Sequence, residues 1–85
     1  MFYVYVLNSV NFDRYYVGMT ESLKNRLNEH NSGNVKSTKA FTPWIMVHNE
    51  VFETRLLARQ REKYLKSAAG RRWRKQNIRP RGATE

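Results

Sequence analysis

Two runs constrain this chain more than any other feature: FYVYVL at residues 2–7 and YYVG at residues 15–18. Both mix aromatic with β-branched side chains, which suit a pleated, half-buried surface. Between them, NSVNFDR supplies the Asn, Ser and Asp of a hairpin loop. So short a loop cannot carry a parallel crossover, so the two strands are predicted to be antiparallel. The oddity is tyrosine, because Tyr3, Tyr5, Tyr15 and Tyr16 all fall on this hairpin. A sheet core accepts Val, Ile and Phe freely, whereas every buried tyrosine hydroxyl must find a partner. With strand alternation Tyr3 and Tyr5 share a face. Tyr3 and Tyr15 read as packing or surface residues, and Tyr5 and Tyr16 as the candidates for chemistry.

The remaining chain alternates between helix and strand grammar. TESLKNRLNEHNSGN reads as a helix capped by Thr20, with Glu21 at its positive start and Leu23 and Leu27 stacked one turn apart. Asn31 to Asn34, with Gly33, stop it. VKSTKAFTP reads as a polar loop with a proline breaker, and WIMVHNEVF as a third strand in which His48 is structural. TRLLARQREKYLKSAAG reads as a second helix, capped by Thr54, ended by Gly70, with Leu57, Tyr64, Leu65 and Ala68 as its apolar stripe. RRWRKQNI adds one or two helical turns, and RPRGATE reads as a frayed tail. The predicted class is α/β (α+β): a three-stranded antiparallel sheet flanked by helices, in the order β-β-α-β-α with a short C-terminal helix or tail. One domain is expected over residues 1–78, with a basic flexible tail at 79–85.

Composition narrows the partners. A chain of 85 residues has a thin core, burying roughly 60–65% of its unfolded surface. There is no cysteine, so disulfides and thiolate metal sites are excluded. No apolar run approaches the ~20 residues of a membrane span, and the N-terminus lacks signal-peptide character, which makes the cytoplasm the default expectation. Sixteen Lys and Arg against seven acids give a net charge of +9. Such an excess favours a polyanionic partner, with nucleic acid first.

On these residues the chain resembles the GIY-YIG nuclease family, and in particular its small stand-alone members. Tyr3, Val4 and Tyr5 stand where that family has GIY, and Tyr16, Val17 and Gly18 where it has YIG. Arg26 and His30 match the R-x-x-x-H of the following helix, and Glu62 falls at the family's metal-binding glutamate. The resemblance implies a metal-dependent endonuclease acting on DNA phosphodiesters, with RNA left open. One divalent cation, Mg²⁺ or Mn²⁺, would sit on Glu62, and Tyr5, Tyr16, Arg26 and His30 would be the catalytic groups. Two departures stand out: Tyr3 replaces the first glycine, and Met19 stands where many members have a lysine. Asn77 is the candidate for a late asparagine that some members carry. With no added recognition domain, structure-guided cutting is expected over strong sequence reading.

The residues support a phosphate site on their own terms. With Leu23 as zero, at about 100° per residue Leu27 lies near about 40°, Arg26 near about −60° and His30 near about −20°. Arg26 and His30 are thus neighbours on the border of the apolar stripe, where a cation needs an anion or an open cleft. Glu62 is flanked by Ala58 and Leu65, and a carboxylate there must be paired or bound to metal. Arg26 would steady the non-bridging oxygens, while Tyr5, Tyr16 or His30 takes the proton of the attacking water. Plainer readings are an ion pair for Arg26, a helix-terminal role for His30, and a pair of Glu62 with Arg59 or Arg61.

Two basic segments complete the picture. Lys36, Ser37, Thr38 and Lys39 would make a phosphate-gripping loop, and Gly18 would let a phosphate approach the backbone. Arg71, Arg72, Arg74 and Lys75 would track a nucleic-acid backbone, beside Trp73 as an anchor. The rival readings are a nuclease-like module that binds nucleic acid without cutting, and a subunit whose nuclease partner lies elsewhere.

Overall fold

The computed structural model describes residues 1–78; the expected tail at 79–85 lies outside the described residues. Strands β1 (Phe2–Ser9), β2 (Tyr15–Thr20) and β3 (Trp44–Phe52) form one antiparallel sheet in the order β2-β1-β3. Helix α1 (Leu23–Asn31) follows β2, a single 3₁₀ turn (Lys39–Phe41) precedes β3, and α2 (Arg55–Lys66) and α3 (Ala68–Asn77) close the chain. The predicted class and element order are those observed, with the last segment resolved into a ten-residue helix.

The most aromatic strand is central. Its alternating side chains divide the interior into two unlike halves. Val4 and Val6 point to one face and pack with Val17, Ala58, Leu65 and Ile78 under α2 and α3. Tyr5 and Leu7 point to the other and pack with Trp44, Tyr16, Leu23 and Leu27 under α1. Period-two alternation thus sends the tyrosines to the α1 side and the aliphatics to the opposite side.

Several local expectations shift. The cap of α1 is Ser22, whose hydroxyl accepts from the Asn25 amide. Strand β2 runs on to Thr20, and the Thr20 hydroxyl holds the intervening turn by accepting from the Ser22 amide at 3.1 Å. Thr54 caps α2 as expected, but Gly70 does not end it. Ser67 interrupts the helical run: its hydroxyl accepts from the Gly70 amide and starts α3. Gly70 is buried there because a Cβ would meet the backbone of Tyr64 and Leu65. The buried stripe of α2 is Ala58 and Leu65, whereas Leu57 is 49% and Tyr64 39% exposed, and Ala68 is exposed in α3.

The segment between α1 and β3 is tied down by side chains. Asn31 clasps the Trp44 backbone, accepting from its amide at 2.6 Å and donating to its carbonyl at 3.0 Å. The Trp44 indole donates to the Thr38 carbonyl at 2.9 Å, and Ser9 donates to the Phe41 carbonyl at 2.7 Å. Gly33 turns the chain out of α1 at φ +83°, a conformation that glycine adopts without penalty.

Candidate active site

Tyr5 sits at the centre of the sheet, opposite Gly18 on β2 and Asn49 on β3. That register explains Gly18. A Cβ at this position would collide with the Tyr5 hydroxyl, lie 2.6 Å from Tyr5 Cζ and 3.0 Å from the Tyr16 ring. Gly18 is buried, and its missing side chain makes room for the Tyr5 phenol.

Three rings meet beside it. Tyr16 and His30 centroids are 4.8 Å apart, Tyr5 and His30 5.8 Å, and Tyr5 and Tyr16 6.2 Å. Tyr5 and His30 are fully buried, so their polar atoms must be satisfied from within. The Tyr5 hydroxyl lies 2.9 Å from His30 Nε2, and His30 Nδ1 lies 2.8 Å from Thr38 Oγ1. The Arg26 guanidinium lies beside the Tyr5 hydroxyl, close enough to act on it.

The polarity of this chain follows from its members. A guanidinium beside the Tyr5 hydroxyl offers no acceptor, so the Tyr5 hydrogen goes to His30 Nε2. His30 Nδ1 then carries the imidazole hydrogen and donates to Thr38. Thr38 in turn donates to the Val35 carbonyl at 3.3 Å. One directed path therefore runs from Tyr5 through His30 and Thr38 to the loop backbone. Thr38, expected as an exposed phosphate contact, is buried and belongs to this path; Lys36, Ser37 and Lys39 around it are exposed.

The electrostatics are those of a neutral interior beneath a cationic rim. Burial pushes Tyr5 up to about 12, against the lowering effect of Arg26. Burial first, then the charge of Arg26, holds His30 below the ordinary imidazole range. Arg26 is raised above its usual value, first by its hydrogen bond to Glu29 and then by the neighbouring Tyr5 hydroxyl, and so is always a cation. Its side chain is 34% exposed and pairs with Glu29 at 2.9 Å, which makes it the cluster's solvent-facing group. It borders a pocket of about 300 Å³ shared with Met19, Thr20 and Arg55. Arg55 brings a second cation to the pocket that Met19 lines, held by Glu21 at 3.7 Å and lying over the Phe2 ring at 4.9 Å from its centroid. Sequence reasoning missed Arg55, since only the fold brings the start of α2 beside α1.

Glu62 projects from α2, its side chain 16% exposed, near enough for its charge to act on Tyr5. Lys66 holds it at 3.2 Å and Arg59 at 3.9 Å; Arg61 pairs instead with Glu50. Among the described residues no three His, Cys, Asp or Glu side chains gather as a metal cluster. A lone carboxylate still fits a hard cation such as Mg²⁺, which commonly takes one or two carboxylates and fills its shell with water and phosphate. Lys66 and Arg59 are 53% and 66% exposed, free to swing aside. Asn77 donates to the Trp73 carbonyl at the end of α3, on the aliphatic side of the sheet. His48 bonds Glu50 at 2.8 Å and packs edge-on to Trp73 at 5.6 Å.

A small α/β domain that gathers two phenols, an imidazole and a guanidinium over one sheet face, with a lone glutamate close by, has the architecture of a phosphodiester-cutting domain. The comparison with known families is decisive on the class: residues 1–77 match the GIY-YIG catalytic domain, and the chain belongs to this family of nucleases. It is similar to a UPF0213 protein of Natronomonas pharaonis, 39% identical over 66 residues that cover 76% of each chain. A UPF0213 protein of Haloquadratum walsbyi is also 39% identical over 66 residues, covering 76% of this chain and 73% of its own. No solved structure gives a significant match. No helix among the described residues is long and apolar enough to cross a membrane.

Proposed function

We propose that this protein is a divalent-metal-dependent endonuclease that hydrolyses phosphodiesters in DNA and is guided by the shape of its substrate. The reading is carried by the hydrogen-bonded path Tyr5–His30–Thr38 with the Arg26 guanidinium beside its outer end: a cation at the surface and a neutral proton acceptor behind it. Arg26 binds the non-bridging oxygens of the scissile phosphate and meets their growing charge in the transition state. Arg55, in the same pocket, adds a second contact to the phosphates. As Arg26 turns from Tyr5 to the phosphate, the Tyr5 oxygen is freed for the attacking water. Tyr5 accepts the water proton while passing its own to His30 Nε2, which its neutral state leaves open. Tyr16 packs on His30 and holds the ring in line. Glu62 would hold Mg²⁺ or Mn²⁺, which when bound supplies positive charge against the phosphate oxygens. The setting is taken to be the cytoplasm.

Purified protein incubated with nicked, branched and single-stranded DNA plus Mg²⁺ or Mn²⁺ is expected to cut at least one of them. Glu62→Ala should abolish cleavage. Arg26→Ala should lower it by about 10²–10³, the scale of losing one oxyanion donor. Cleavage that persists unchanged in Glu62→Ala removes Glu62 from the metal role. No cutting of any substrate, with salt-sensitive binding retained, favours the non-cleaving module, a reading that the charge of +9 and the ion-paired state of Glu62 support.

A further inference from the structure

A second basic hollow lies away from Tyr5, on the aliphatic side of the sheet. It is a groove of about 730 Å³ between the start of β2 and α3, lined by Tyr15, Ala68, Arg71, Arg72, Arg74 and Lys75, with Asp13 as its one acid. None of its four cations forms an ion pair among the described residues. Two are aimed by the backbone: Arg71 donates to the Lys66 carbonyl and Arg74 to the Leu65 carbonyl, each at 3.1 Å. Arg72 and Lys75 are exposed, with no hydrogen bond or ion pair among the described residues. Arg74 is less readily protonated than an ordinary arginine, first through burial and then through the charge of Arg71. An anion in the groove relieves that repulsion.

Tyr15 gives the groove its second character. It is 38% exposed, with the Arg74 guanidinium 5.7 Å from its ring centroid. An aromatic platform within a basic groove is the pattern that binds single strands: cations follow the phosphates, and a base stacks on the ring. A base within a duplex has both faces covered by its neighbours and cannot stack there. The position also fits. Tyr15 and Tyr16 are consecutive on β2, their side chains on opposite faces, and β2 is an edge strand. From Tyr15 to Gly18, the partner of Tyr5, three residues of strand span about 10 Å, or about three nucleotides at duplex rise. One strand passing over this edge touches both sites.

We infer that this groove binds an unpaired DNA flank lying a few nucleotides from the scissile phosphate, with a base stacked on Tyr15 and its phosphates on Arg71, Arg72 and Lys75. The inference rests on the nuclease reading and names the feature of the substrate that the protein recognises.

The test is fluorescence anisotropy with the full chain in EDTA, at one fixed salt concentration. The probes are a blunt duplex, the same duplex with a five-nucleotide overhang, and that duplex with an abasic overhang. The overhang is expected to tighten binding at least about fivefold, the lower end of one stacked base. Tyr15→Ala should remove the gain, Tyr15→Phe should keep it, and the abasic overhang should be indifferent to Tyr15→Ala. Arg72→Ala with Lys75→Ala should weaken both overhang probes alike. Equal affinity for blunt and overhanging duplexes overturns the inference, as does a Tyr15→Ala loss of the same size on the abasic probe. Thermal unfolding of each variant separates a lost fold from a lost contact. Cleavage in Mg²⁺ is scored separately. Absence of cutting leaves these affinities untouched, and a failed overhang effect leaves cutting of other substrates intact.

Discussion

Thr38 is the residue whose role differs most from what its surroundings in the chain suggest. In KSTK it reads as one more loop hydroxyl, yet it accepts the His30 Nδ1 hydrogen inside the protein. Thr38→Val should leave that N–H buried without a partner, at a cost of about 1–3 kcal/mol. Thr38→Ser should remain near the parent. Urea unfolding gives the stabilities, and nitrogen chemical shifts of His30 give the tautomer. His30 also sets a pH dependence. Its folded pKa is depressed, so below the free value of about 6.5 the unfolded chain binds a proton that the folded chain refuses. Stability is therefore full above that pH and falls as the pH drops toward the lowered value. The urea midpoint should decline from pH 7 to pH 5, and His30→Gln should flatten the decline. The order Tyr5, Tyr16, Arg26, His30 could be read from the sequence because motif spacing and helical periodicity both place it. The Thr38 link could not, because it depends on how an irregular loop folds back over α1.

At the scale of elements, strand alternation carried the most information, since residues two apart must share a face whatever the loops do. The three strands fall where aromatic and β-branched runs predict them. Helix ends were harder to read. Thr20 and Ser22 are both competent caps, and the choice turned on how far β2 stays paired with β1. Ser67 and Gly70 pose the same ambiguity. A glycine after a helical run reads as a stop, but here it is the small residue that lets α3 start against the end of α2. Gly70→Ala would put a methyl 2.5 Å from Leu65 Cα, against rigid backbone. It should cost about 1–3 kcal/mol, the range for overpacking. It should also weaken overhanging DNA more than blunt DNA, because it moves the helix that carries the basic groove. Differential scanning calorimetry and the anisotropy assay report the two effects.

For the molecule as a whole, charge and topology act together. The chain carries a net charge of +9, and among the described residues cations line two separate hollows around a sheet only three strands wide. Binding to DNA should fall steeply with salt, as log affinity against log salt with a slope of about −0.9 per phosphate neutralised on duplex. Arg72→Ala with Lys75→Ala should reduce that slope by about two if both contact phosphates, which a titration between low and moderate salt measures.

The two halves of the interior differ in kind, aliphatic under α2 and α3, hydrogen-bonded and aromatic under α1. Selection for heat tolerance, in nature or in a laboratory library, therefore meets unequal ground. The oily half can be refilled by many combinations of similar volume. On the other, Tyr5, His30 and Thr38 are bound to one another by directional hydrogen bonds that few replacements reproduce, so substitutions that harden the protein should accumulate on one side and leave the other unaltered.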